Sequence, residues 1–399
     1  MDELEEKYIE LLFRCIKLQK NDILFLEYNS LNEEFANKIM NKAKNIGVKE
    51  IIIYIENNDI DKELINKLSI DELKSHPLSD TSIYDESAIK GAKFLRIISP
   101  RPNLYEDNHE KASALFKFRK QSRPMYYKKL HEKTLTWNIA IYPNKEWANF
   151  LFPDDSNSYE KLFNLIMKAC GVDRSNPIMY WDNIIKEQCD YIKKLNDLNI
   201  KSLHYKNSLG TDLNVSLTDN TIWTSISDWD GIIVNMPSYE IFSNLDYRKT
   251  NGIVYSSMPL VYNNVVIDNF YLKFLDGRII DFNAEEGYQA LKSIIKTDEL
   301  SHYLGEIALV SYNNPIRKLN QIFYETTFDE NQAAHFSIGS GELECVKDIK
   351  KLSKVEVNEK GINISSNHVD FMIGTSDLEI TAETAKGEII IFKNGSWNI

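Results

Sequence analysis

Cysteine is scarce in this chain, four residues in 399, and no two of them form a CxxC pair. Cys15, Cys170, Cys189 and Cys345 follow no regular spacing, which argues against a disulfide framework and fits a reducing compartment. Long hydrophobic runs are missing as well. None approaches the roughly 18–20 residues needed to cross a bilayer. There is no Lys/Arg stripe, and the net charge is −12 with a pI near 5.2. Non-specific binding to nucleic acid or to an anionic membrane needs a basic face, so neither is expected as a partner. The opening segment MDELEEKYIELLFRC lacks the basic region and apolar core of a signal peptide. A cytoplasmic location is the expectation. Glycine is absent where a dinucleotide site would need it. The apolar runs at 22–28 and 49–56 are followed by NSLNEEF and NNDID, neither of which lets a backbone approach a pyrophosphate. The first half therefore reads as a structural or substrate-capping domain.

What is present is enough apolar and aromatic material for well-filled cores: 43% apolar residues, with 21 Tyr, 18 Phe and 6 Trp. The length suggests two or three domains. Residues 3–17 and 32–47 have helical period, the second ending on Gly47 as a C-cap. Apolar runs at 22–28, 49–56, 93–100 and 136–143 alternate with helices, which implies a parallel sheet covered on both faces. After helices at 158–170 and about 178–197 the style changes near residue 200. Short alternating segments follow, with hairpin turns at LDGR (275–278) and KNGS (393–396) and one helix at about 284–297. The expected fold is an α/β N-terminal domain with a mostly parallel sheet, residues 1–199. An α+β C-terminal domain with a mainly antiparallel sheet, residues 200–399, completes it.

The clusters that could bind metal fall in the second half. In NHVDFMIG (367–374), His368 and Asp370 are two apart, so in a strand both point to the same face. Imidazole with carboxylate suits zinc, cobalt or manganese better than calcium. Glu306 enters an apolar run in SHYLGEIALV. It is either an N-terminal helix acid favoured by the dipole or a buried carboxylate that needs a cation. Glu240 in NMPSYEIFSN reads equally as an acid on an edge strand, and His335 in FDENQAAHFSIG as a residue of a solvated loop. No single cluster decides between metal and the plainer readings.

Taken in order, NMPSYEIF, LGE, FDENQAAHFSIG and HVDFMIG resemble the ligand motifs of the aminopeptidase T and aminopeptidase S family of dinuclear metal-dependent aminopeptidases. The likeness spans the chain, with IAIYPNKEWANFLFP, LGTDLNVSL and FKNGSW in family order. The resemblance implies metal ligands at Glu240, Glu306, His335, His368 and Asp370, and two divalent ions (zinc, cobalt or manganese). It implies a peptide or small amide substrate with a free N-terminus, and a homodimer whose N-terminal domain serves in capping and dimerisation. It also implies a metal-activated water that attacks the scissile carbonyl. Glu306 is then the proton acceptor or the bridging ligand, which the sequence leaves open.

One position departs from the pattern. Family members carry a tyrosine seven residues after the DENxxxH histidine, where a phenol can donate to an oxyanion. Here that position is Glu342, within HFSIGSGELE. A carboxylate cannot donate unless protonated, and ionised beside the metals it would lower the positive charge of the site. FSNL at 242–245 replaces the usual proline context. Tyr239, Tyr303 and Tyr312 are other possible phenol donors, with nothing to favour one. Two functions follow: a metalloaminopeptidase with Glu306 and Glu342 in catalytic roles, or a divergent metal-binding relative with an altered amide substrate or lost peptidase activity, acting as a binding protein.

Overall fold

Contiguous apolar runs make the parallel strands of the first unit. In the computed structural model, which describes all residues except 77–80, 103, 106–107, 226–230 and 263–264, these are β1 (Ile23–Asn29), β2 (Glu50–Glu56), β3 (Lys93–Ile98) and β4 (Thr136–Ile141). They lie in the order β2-β1-β3-β4, all parallel. Six of the seven residues of β1 are buried, as a strand covered on both faces requires. Helix α1 (Asp2–Cys15) buries Tyr8, Leu11 and Leu12, and α2 (Glu33–Ile46) buries Phe35, Ala36 and Ile39. The expected cap of α2 is present: Gly47 has φ 87° and its N–H reaches Lys44 O at 3.0 Å.

The sequence beyond residue 200 forms antiparallel strands, because its alternating pattern buries one face at a time. β5 (Ser202–Lys206) and β6 (Asp212–Ser216) come first. β7 (Asn235–Met236) returns to pair with β4 at the edge of the parallel sheet. Then follow β8 (Ile241–Asn244), β9 (Thr250–Tyr255), β10 (Leu260–Tyr262), β11 (Val265–Leu275) and β12 (Arg278–Glu286). Next are β13 (Leu304–Leu309), β14 (His335–Gly339), β15 (His368–Met372), β16 (Glu379–Thr384), β17 (Gly387–Lys393) and β18 (Ser396–Trp397). One sheet runs β10-β11-β9-β6-β5-β16-β17-β18, with β12 also on β11; a smaller one runs β15-β14-β13-β8. Both expected hairpin turns carry two consecutive positive φ values, at Asp276–Gly277 and Asn394–Gly395, the signature of type I′ geometry.

The chain thus forms two compact units, Met1–Trp181 with Ser227–Pro237, and Asp182–Ile226 with Ser238–Ile399. The return of β7 is what assigns 227–237 to the first unit. An α/β unit with a parallel sheet and an antiparallel unit is the fold class expected from the sequence. One helix is shorter than expected. Residues 284–286 continue β12, with Ala284 opposite Phe270, and the helix spans only Tyr288–Ile295 after Gly287 turns the chain. The core of the second unit lies between its two sheets. Ile307, Phe336 and Phe371 of the small sheet are buried with Leu203, Val254, Leu272 and Ile380 of the large one.

Candidate metal centre

Strand pairing gathers the candidate ligands on one face of the small sheet. On β14 and β15, His335 lies opposite Met372, Ser337 opposite Asp370 and Gly339 opposite His368. β13 places Ala308 opposite both His335 and Phe242, and Glu306 opposite Asn244. Cross-strand partners share a face, so Glu306, His335, His368 and Asp370 point the same way, and Glu240, two residues before Phe242, joins them. The intervening Ile241, Ile307, Phe336, Val369 and Phe371 point into the core. Period-two alternation therefore separates the chemistry from the packing.

A bulge aims Glu306. Between Leu304 and Ile307, β13 sets Gly305 and Glu306 against Ser337 alone, an arrangement that redirects a side chain. The Glu306 N–H donates to Ser337 Oγ at 2.8 Å, and that hydroxyl donates to Ser340 O at 2.9 Å. Gly305 is required here because the 339–341 segment crosses directly over it. A Cβ would collide with backbone atoms of Gly339, Ser340 and Gly341.

Two groups of possible ligand atoms result, Glu240/Glu306/His335 and Glu306/His368/Asp370, each within 4.8 Å of one another. Glu306 belongs to both. His335 Nε2 is 3.2 Å from Glu240, and His368 Nε2 is 3.3 Å from Glu306 and 3.3 Å from Asp370. Each imidazole is oriented from behind, His335 Nδ1 against Ala333 O at 3.0 Å and His368 Nδ1 against Ser340 O at 2.8 Å. A metal-binding histidine is normally held in this way, with one ring nitrogen on a carbonyl and the other free to ligate. Asp370 Oδ1 is buried without a hydrogen-bond donor in good geometry, which a cation would resolve. The donor set, imidazole nitrogens with carboxylate oxygens, suits a transition metal. The residues fit divalent ions on both counts.

The electrostatics point the same way. Burial pushes Glu306 up to about 7, against the hydrogen bond from His368. Burial pulls His335 down, but the hydrogen bond and charge of Glu240 outweigh it and push the imidazole up to about 9. His368 is raised despite its burial by Asp370 and Glu306, and Asp370 is lowered despite burial chiefly by His368. So many carboxylates cannot all ionise in one buried place without compensating positive charge.

Glu306 and His335 lie in strands rather than in the helix start and solvated loop that their flanking residues equally allowed, and both are buried. Glu342 follows β14. Its carboxylate lies 3.7 Å from His368 Nε2, and its main chain is clamped by Asn244, which accepts from its N–H and donates to its carbonyl, both at 2.7 Å. Burial raises its carboxyl above the usual range, with the Glu306 charge adding to the effect. Sequence reasoning missed Glu330. It sits in the short turn before β14 and walls a cavity of about 150 Å³ together with His368 and Asp370. Its carboxyl is raised well above normal by burial and by the charges of Glu240 and Asp370. The signal available was an acid with no Lys or Arg neighbour in FDENQAAHF, five residues before His335. The three tyrosines singled out earlier are engaged elsewhere. Tyr303 packs on Tyr247 and receives Arg278, Tyr312 lies under Arg317, and Tyr239 lines a separate cavity with Tyr191 and Trp397. Two other phenols, Tyr262 and Tyr324, line the cavity beside His368 and Asp370.

Residues 1–397 match the family model described as thermophilic metalloprotease (M29). The chain belongs to that family. Aminopeptidase AmpS of Bacillus subtilis is 31% identical over 100% of both chains, and Aminopeptidase 2 of Geobacillus stearothermophilus 32% identical over 98% of this chain and 97% of its own. The solved structure of wild-type AmpT from Thermus thermophilus superposes with a TM-score of 0.90 at 23% identity, covering 100% of this chain and 99% of that one, which establishes the shared fold. As an M29 member the chain is a metallopeptidase, a hydrolase that uses divalent metal. Retention of the aminopeptidase chemistry is favoured over its loss. Among the described residues, no helix is long and apolar enough to cross a membrane.

Proposed function

We propose that this M29 chain removes N-terminal residues from peptides at a dinuclear centre ligated by Glu240, Glu306, His335, His368 and Asp370, with Glu330 as a further carboxylate. The observation that carries the proposal is the membership of Glu306 in both ligand groups. A carboxylate shared in this way would hold both ions of a two-metal hydrolase. Two zinc, cobalt or manganese ions held there would polarise the scissile carbonyl and make a water nucleophilic near neutral pH.

The chain's own residues supply the rest. Ala333 O and Ser340 O fix the two imidazoles so that Nε2 of each faces the carboxylates. The Glu306 bulge keeps the bridge rigid through Ser337. Glu342, with its main chain clamped by Asn244 and its carboxylate 3.7 Å from His368, would accept the proton of the attacking water and hand it to the departing amine. That gives the glutamate at the expected tyrosine position an acceptor's role in place of a donor's.

The test is release of amino acids from short unblocked peptides by metal-stripped protein, before and after adding zinc, cobalt or manganese. Restored turnover with two ions per chain supports the proposal, and full activity in Glu306→Gln refutes the bridge. The protein is further proposed to work as a homodimer in the cytoplasm, which rests on the family resemblance and on four cysteines without a CxxC pair or regular spacing. Light scattering that gives a monomer mass refutes the dimer.

A further inference from the structure

The cavity beside the ligand face changes character along its wall. Met372 lies two residues beyond Asp370 on the same face of β15. Leu260 and Tyr262 come from β10, which packs along β15, and Tyr324 is held with a left-handed backbone, φ 54°. These four side chains line the same space as Glu330, His368 and Asp370. Leu260 and Met372 are buried.

Two other acids on the wall are already committed. Asp329 accepts from the N–H groups of Phe323 at 2.8 Å and Glu325 at 3.2 Å and from Gln332 Nε2 at 3.0 Å. Glu325 caps the short helix Thr326–Asp329 by accepting from the Phe328 N–H at 3.2 Å. Asp329 and Glu325 are thus held by main-chain and amide donors, and Glu330 and Asp370 are the remaining acids of the wall. Volume sets the next limit. An apolar cavity of about 150 Å³ holds one benzene molecule. The space here is also about 150 Å³ and opens to one side, so a leucine side chain or a phenyl ring fills it and an indole must extend into its mouth.

In a peptide, the N-terminal residue carries an ammonium group and a side chain on the same carbon. Carboxylates and apolar side chains that line one cavity complement that pairing. We infer that this cavity is the subsite for the side chain of the N-terminal residue, and that Leu260, Tyr262, Tyr324 and Met372 make it favour apolar side chains up to the size of phenylalanine. The inference rests on the peptidase reading above. A side chain seated there brings the adjoining carbonyl to the ligand face.

The experiment compares kcat/KM for dipeptide amides that begin with Leu, Phe, Trp or Arg and share one second residue, in wild type, Leu260→Ala, Tyr262→Ala and Tyr262→Leu. Leu and Phe should exceed Trp and Arg in wild type by about tenfold or more, the scale on which an apolar pocket discriminates. Both alanine variants should raise Trp relative to Leu by about tenfold, with the number of bound ions unchanged. Tyr262→Leu keeps an apolar wall and guards against misfolding, so its ratio should shift in the same direction. A ratio unmoved in all three variants overturns the inference, as does a wild-type preference for Arg. Leu turnover that survives complete metal removal overturns the metal reading and leaves the subsite standing if the ratio still moves. Metal-dependent turnover with an unmoved ratio overturns the subsite alone.

Discussion

Replacing Gly305 by alanine separates the geometry of the centre from its chemistry, because this residue carries no charge and ligates nothing. The added Cβ would press on Gly339 O, the Ser340 carbonyl carbon and Gly341 N, all backbone atoms that cannot swing aside. Ordinary carbon contacts lie at about 3.5–4.0 Å, so β13 and the crossing segment must separate by about an ångström. Overpacking of this kind costs about 3 kcal/mol at the upper end of its usual range. The same displacement moves Ser340 O, which orients His368 Nδ1 at 2.8 Å, and the Glu342 N–H held by Asn244 at 2.7 Å. Loss of such orienting contacts typically lowers metal affinity about 10–100-fold. Urea unfolding of the metal-free protein reads the first effect, and calorimetric metal titration reads the second. A variant within about 0.5 kcal/mol of wild type, with unchanged metal affinity, would refute the crossing described at Gly305.

Four further outcomes follow from the same geometry. Glu342→Gln should lower kcat by about 10²-fold, the contribution of a positioned proton acceptor, without changing the number of ions bound; an unchanged kcat removes Glu342 from proton transfer. Metal affinity should rise with pH, because Glu306 (up to about 7) and His335 (up to about 9) must lose protons to ligate. The rise should be steep through pH 7 and level off near pH 9, and calorimetry that shows a flat affinity from pH 6 to 9 contradicts it. His335→Ala should abolish one ligand group while leaving Glu306, His368 and Asp370 in place, so elemental analysis should fall from two ions per chain to one. Asp298→Asn should cost about 1–2 kcal/mol, because the carboxylate binds Ser301, Ser365 and Ser366 just ahead of His368. Those hydrogen bonds hold its pKa well below the usual carboxylate range against burial. Its contribution is therefore present above pH 4 and lost on acidification, and a variant with an unaltered acid-unfolding profile denies Asp298 that role.

The parallel strands and the hairpins were legible because their signals are local. An apolar run such as 22–28 and a turn such as LDGR need no partner to be recognised. His368 and Asp370 were legible for the same reason, since a spacing of two in a strand fixes a shared face. Glu306 was ambiguous because β13 is buried on both sides, so LGEIALV shows no alternation to tell strand from helix. Its aim depends on a bulge against Ser337, a residue about thirty positions away, and no local pattern encodes that pairing. His335 looked like a loop residue because the acids before it are polar in sequence, yet Asp329 is buried at the end of a short helix and Glu330 turns a half-buried side chain to the cavity. Glu330 was overlooked on the same grounds. The overlong helix at 284–297 arose because Ala284–Glu286 favour a helix locally, while pairing with β11 holds them in a strand.

The central claim is that Glu306 joins two ions on one face of a four-stranded sheet. Anomalous scattering from crystals of the metal-loaded protein tests it most directly, with elemental analysis of the same preparation. The account predicts two peaks per chain, one among Glu240, Glu306 and His335 and the other among Glu306, His368 and Asp370. A single peak in fully active protein, or peaks that lie away from Glu306, would contradict it.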